Sequence, residues 1–287
     1  MMSLTMPPAM AFLFPAMGPF LLVLLFLLVF RKTLPGKPSV ALPFSDLAVL
    51  AGLLLDFEIF DKEALRHFFA PDRPLDSIPL LIGIVFLLRR LFVRLPPLLP
   101  EATALFAGVW LLLSPILVRT TFFNGALETC LVFGLWGFLR LSFPVDQEKG
   151  LGGTFLIPLF LTSSALSGFS ALSGSLLVGQ ISAGVAGVFG AILLAGRIGD
   201  VRPSAIEAGW TLGALLVIGR QYVDIDPVVI GSLVLSLILG ATGGRLIRKR
   251  HPKTSRQGDA LVTAFSLAPL IVTAVKTFVL SSDTGGY

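Results

Sequence analysis

The sequence predicts an all-α protein, a polytopic bundle of transmembrane helices. Composition, run length and charge placement each predict it. Of the 287 residues, 55% are hydrophobic and 14% are Asp, Glu, Lys or Arg, against about 25% charged in a soluble domain. Mean hydropathy is +0.90. The apolar residues fall into runs near the roughly 20 residues that a helix needs to cross a bilayer. Basic residues gather at alternate ends of those runs. Such a chain is not disordered, not a disulfide scaffold and not a water-soluble enzyme.

Ten runs qualify as spans: residues 11–30, 41–60, 77–95, 102–118, 121–141, 153–168, 175–196, 204–222, 227–246 and 260–280. No Lys or Arg precedes Arg31, whereas a secretory signal peptide starts with a basic stretch, so the first run is expected to stay as a helix. The second run is the least regular. It carries Asp46, Asp56 and Glu58, and its uncharged core, 47–55, is only nine residues long.

Orientation follows from the loops. With both termini outside, 16 Lys and Arg fall on the inner side, and 5 fall outside (Lys62, Arg66, Arg73, Arg119 and Arg220). Lys and Arg accumulate on the cytoplasmic side of membrane proteins, so this arrangement is the expected one. If the second run did not cross, the best orientation would put the N-terminus inside, and the split would fall to 13 against 8.

The whole chain is expected to form one membrane domain. Residues 1–143 hold five spans rich in Phe and Leu, 144–152 form an inner linker, and 153–287 hold five spans rich in Gly and Ala. An odd number of spans per half would make the halves inverted in the membrane, as in many transporters, but they share no sequence similarity. Gly179, Ala183, Gly187, Ala191 and Ala195 recur every fourth residue, as do Gly209 with Gly213 and Gly240 with Gly244. Small residues at this interval let helix backbones approach closely in lipid. A gliding surface for a moving helix is the sharper alternative. The echo at 164–169 and 170–175 (SALSGF, SALSGS) is expected to make the turn between spans six and seven.

Glu128 is the most informative polar residue. It lies near the middle of the fifth span, with Asn124 one helical turn earlier on the same face. A carboxylate at that depth faces a partner or a water-filled cavity, and Lys276 in the last span is the candidate cation at similar depth. Two expectations compete here: an ion-coupling carboxylate, or a structural pair between helices. Glu207, three residues after Ser204, has the spacing of a capping box. Gln180 is expected to bond another helix, and Asp46 to be stabilised by Lys37 or a helix end. The segment 56–76 carries six carboxylates and is expected to lie along the outer interface with a solvated acidic face. Its spacing matches no calcium loop.

Arg245, Arg248, Lys249 and Arg250 belong to a basic run at 245–256 that is expected to touch anionic lipid headgroups at the inner face. The run is short and has no interleaved aromatics, so nucleic acid is not the expected partner. One cysteine, Cys130, and two histidines, His67 and His251, leave no metal site to expect. No phosphate loop, dinucleotide fingerprint, paired-histidine motif or nucleophile elbow is present. No cofactor or catalytic residue is therefore expected.

Three stretches carry a resemblance: DSIPL at 76–80, SGSLLVGQ at 173–180 and GALLVIGRQYVDIDP at 213–227. They resemble a group of polytopic bacterial membrane proteins, planctomycete-like in character. The resemblance implies a multi-helix membrane fold and transfers no activity and no functional residue.

The leading expectation is a non-enzymatic structural or assembly component of a bacterial cytoplasmic membrane, with a membrane-protein partner or a second copy of itself. The alternative is a small secondary transporter using Glu128, Asn124 and Lys276. A third is a lipid-modifying enzyme using Asp61, Glu63, Arg66, His67 and Asp72 at the outer interface.

Overall fold

The structure is a computed structural model that describes residues 10–33, 38–61, 74–91, 153–198, 206–250 and 256–283. The described residues form eight α-helices and one 3₁₀ turn, with no strand among them. The helices are α1 (Met10–Thr33), α2 (Pro38–Phe60), α3 (Ser77–Leu91), α4 (Gly153–Leu172), α5 (Leu176–Ile198), α6 (Ile206–Gln221), α7 (Pro227–Arg250) and α8 (Arg256–Asp283); the 3₁₀ turn Pro74–Asp76 leads into α3. The expected spans four and five lie outside the described residues. Stretches within α5, α7 and α8 (Leu176–Gly196, Pro227–Gly244 and Gly258–Thr277) are long and apolar enough to cross a membrane.

The helices are apolar on outward faces as well as inward ones. Val23 and Leu27 of α1 are fully buried, while Leu21 and Leu25 on the same helix are exposed. On α8, Leu261, Phe265, Ile271, Val272 and Val275 are all exposed. A soluble bundle pairs a buried apolar stripe with a polar outer face; this pattern instead suits a hydrocarbon solvent, in which Leu side chains are at home on either side.

Helix α5 is the spine. Residues Ile181–Phe189 are buried without interruption, and α1, α2, α4 and α6 all pack on it. Ala16 of α1 meets Gly187, and Phe20 meets Gly190, so α1 and α5 run parallel. Gly52 of α2 meets Val188, and Asp56 meets Gly184, so α2 runs antiparallel to both. On the other side, α4 packs against α7 and α8. Gly240 of α7 takes up Pro158 of α4 and Ser266 of α8, and the Ser236 hydroxyl donates to the Ser266 carbonyl at 2.7 Å.

Most of the expected small-residue stripe is confirmed: Gly179, Ala183, Gly187, Ala191 and Ala195 are all buried. At the Gly209–Gly213 pair, a β-carbon at either position would meet nothing within 4 Å among the described residues. Spacing marks a face but does not say whether another backbone approaches it.

The echo is also corrected. Its first copy, 164–169, lies inside α4, and only the second makes the turn. There the Ser175 N–H donates to the Ser170 carbonyl at 2.9 Å and that of Gly174 to Ala171 at 3.1 Å, closing the helix end. Gly174 takes φ +87°, a conformation open to glycine and costly for residues with a β-carbon; Gly168, its counterpart in the first copy, has no positive φ. Past α6, Asp226 caps α7. Its carboxylate accepts the Val228 N–H at 2.8 Å, and Pro227 fills the first helical position.

Candidate functional site

The candidate site lies where α2 crosses α5. Helix α2 is continuous from Pro38 to Phe60, so the acidic residues of the second run do not break it. Leu53, Phe57 and Val49 are fully buried along its inner face. Asp56 follows Leu53 by three residues and falls on that same face. It is itself completely buried.

The carboxylate has room because α5 presents a glycine to it. A β-carbon at Gly184 would overlap both carboxylate oxygens and the carboxyl carbon of Asp56. One turn away, Gly52 lets α2 close on α1: a β-carbon there would overlap Val23 and stand 3.5 Å from Val188 and 3.6 Å from the Pro19 carbonyl oxygen. Glycines on both helices thus set the depth to which Asp56 is drawn in.

Neither Asp56 oxygen has a hydrogen-bond partner. This separates it from buried hydroxyls on α4 and α5. The Ser182 hydroxyl donates to the Val178 carbonyl at 2.7 Å, and that of Ser163 to Leu159 at 2.8 Å. Such bonds back to the preceding turn are the ordinary way for Ser and Thr to live in an apolar helix. The hydroxyls of Thr162, Ser170 and Ser266 are also buried without a partner, but a hydroxyl costs far less to bury than a carboxylate. Among the described residues, Asp56 is the carboxylate with both oxygens sealed and unpaired.

This corrects the expected solvated acidic face over 56–76. Asp56 is buried, and so are Asp61 and Asp76, while Glu58 is exposed. Phe57 enters the core instead of lying in the headgroups. The physical reason is that α2 keeps its helical phase to Phe60, so residues three and four apart turn the same way. Leu53 and Phe57 carry Asp56 inward with them. Glu63, Arg66, His67 and Asp72 lie outside the described residues.

The other expected positions divide as follows. Glu128 and Asn124 lie outside the described residues. Lys276 stands exposed on α8, beside exposed Val272 and Val275. Arg245, Arg248, Lys249 and Arg250 fall in the last turns of α7, which continues through them to its end. Glu207 is in the first turn of α6, and its expected capping partner Ser204 lies outside the described residues. Gln180 is half-buried at the start of α5, and Asp46 sits in the first half of α2. Arg220 reaches Asp224 at 3.9 Å, with Asp224 fully exposed, a surface pair of little energetic weight.

Asp56 was visible in the sequence as a charge flanked by apolar residues, Leu53–Leu55 before it and Phe57 after it. Its acidic neighbours Glu58 and Asp61 pointed to the interface instead. Gly184, which makes its burial feasible, lies 128 positions further on and outside the stripe of small residues that recurs every fourth position. No protein-family model, no curated protein and no solved structure matches this chain.

Proposed function

We propose that this chain is a multi-pass protein of a bacterial cytoplasmic membrane that moves a small solute or ion across it, with Asp56 as the working carboxylate. The observation that carries the reading is the complete burial of Asp56 with both oxygens unpaired. Ionisable residues at membrane depth pair with one another, with backbone carbonyls or with a transported species. An unpaired one is costly to fold around, and a transported ligand gives that cost a purpose. A purely structural or assembly role accounts for the glycine contacts of α5 but leaves Asp56 without a task.

The ten-span arrangement with both termini outside belongs to this reading. The parallel course of α1 and α5 supports it. If every described helix between them crosses, an even number of further crossings must lie in 92–152, which suits the spans expected at 102–118 and 121–141. Glu128, with Asn124, is placed on the fifth span as the partner of Lys276, whose exposed position on an apolar face of α8 leaves it available. Arg245, Arg248, Lys249 and Arg250 meet anionic lipid headgroups at the inner face. The resemblance of the three landmark stretches to a group of bacterial membrane proteins is in keeping with this reading.

The test is a solute screen on purified protein. A ligand that binds the folded state alone raises its stability. Thermal unfolding in detergent is followed against a panel of amino acids, sugars, nucleosides, organic anions and organic cations. The expected result is stabilisation by at least one solute, loss of that stabilisation in Asp56→Asn, and uptake of the same solute by proteoliposomes. Absence of both stabilisation and uptake across the panel would sink the reading.

A further inference from the structure

We propose that the ligand exchanged at Asp56 is a proton, and that the contact between Asp56 and Gly184 is the gate that admits it. The inference rests on the transport reading and names the coupling ion for it.

The first argument is space. On its α5 side the carboxylate leaves no room even for a methyl group, since a β-carbon on Gly184 would overlap both oxygens. A bound metal cation brings its own volume and a shell of several oxygen ligands. A proton adds almost none. With α2 and α5 in contact, a proton fits between this carboxylate and α5, whereas a metal cation with its ligand shell does not.

The second argument is the ligand set. Among the described residues, neither oxygen has a hydrogen-bond partner, and no group of three His, Cys, Asp or Glu gathers to hold a metal ion. Among the described helices, α1, α3, α5 and α6 pack on α2. Their titratable and charged groups stand toward helix ends: Arg31 and Lys32 on α1, Arg89 and Arg90 on α3 with Asp76 before it, Arg197 on α5, and Glu207 and Arg220 on α6. On α2 itself they are Asp46 and Glu58, followed by Asp61. The central stretch of each partner helix is free of such groups.

The third argument is access. Asp56 has no exposed surface, so a proton can reach it from water only when α2 and α5 part. Protonation adds one hydrogen to one carboxylate oxygen, and deprotonation returns it to water; no other bond changes. Because the carboxyl meets backbone at Gly184 and not a flexible side chain, separation of the helices and exposure of the group are one event.

The experiment is infrared spectroscopy on the full-length protein in lipid nanodiscs, recorded across pH. A protonated carboxyl has a C=O stretch distinct from that of a carboxylate, and isotope-labelled aspartate identifies it. The expected result is a pH-dependent aspartate band that is lost in Asp56→Asn and unchanged when sodium, potassium or calcium chloride is added at fixed pH. In Gly184→Ala, whose added methyl drives the carboxyl from its seat, the band shifts. Should Asp56→Asn fail to fold, Asp56→Glu makes the same assignment, because the labelled aspartate band disappears.

A band displaced by one of the metal cations at fixed pH would overturn the proposal in favour of a metal-ion site. A band that never responds to pH while the protein stays folded would overturn it in favour of a sealed structural carboxyl. A band that titrates in protein with no solute uptake keeps the proton site and removes the transport reading, so the two failures are distinct.

Discussion

Gly187 of α5 lies beneath the backbone of Ala16 in α1. A β-carbon on Gly187 would stand 3.3 Å from the Ala16 Cα, 3.1 Å from its carbonyl carbon, and overlap its carbonyl oxygen. Backbone meets backbone here, which is how small residues hold helices together in lipid. Neither side can yield by changing a rotamer. Gly187→Leu is therefore expected to lower stability by about 1–3 kcal/mol, the usual cost of overfilling a packed interface. Gly209→Ala, where the added methyl meets nothing within 4 Å among the described residues, is expected to be neutral or to raise stability by about 0.5–1 kcal/mol through helix propensity. Thermal unfolding of the two variants in the same detergent checks both.

The unpaired carboxylate carries a prediction of opposite sign. Removing a buried polar group that has no partner also removes its desolvation penalty, about 1–3 kcal/mol. The small void left by Asp56→Ala offsets part of that gain. The variant is expected to be at least as stable as the parent protein and inactive in solute uptake. A clear loss of stability would mean that Asp56 is held by an interaction and contributes to the fold.

Lys276 stands among exposed apolar side chains on α8, where an unpaired cation is costly in hydrocarbon. If Glu128 is its partner, the two are coupled, and their single variants are not additive. Glu128→Gln and Lys276→Met are each expected to destabilise, and the double variant to cost less than the sum. A coupling of about 0.5–3 kcal/mol is the range for groups in contact. Simple additivity would separate the two residues.

The turn at Ser173–Ser175 and the segment 251–255 are expected on opposite sides of the membrane. In a Cys130→Ser background, a cysteine at Ser173 should react with a membrane-impermeant maleimide added to intact cells, and one at Lys253 should react only after lysis. Labelling of Lys253→Cys from outside would invert the orientation and every inner and outer assignment with it.

The helices themselves were legible in the sequence. The expected span at 227–246 became α7, Pro227–Arg250, and that at 175–196 became α5, Leu176–Ile198. The second span, the least regular in sequence, is an unbroken helix in spite of three carboxylates. Much of the tight packing was legible too, because Gly187 and Gly240 lay on marked small-residue faces. The candidate site was not. In the sequence Asp56 reads with Glu58 and Asp61 as part of a solvated face, and Gly184, one residue past Ala183, falls outside the stripe.

Transfer of apolar side chains out of water is a local sum over a window of chain, so the amino-acid order alone determined helical content, membrane character and the lengths of the described helices. Which backbone lies against which is a non-local matter. It depends on pairs of small residues far apart in sequence meeting at one height, as Gly184 meets Asp56 and Gly187 meets Ala16. Only the tertiary structure decided that a charge near the end of a helix would be sealed inside. A hydropathy window registers that charge but not the glycine that makes space for it.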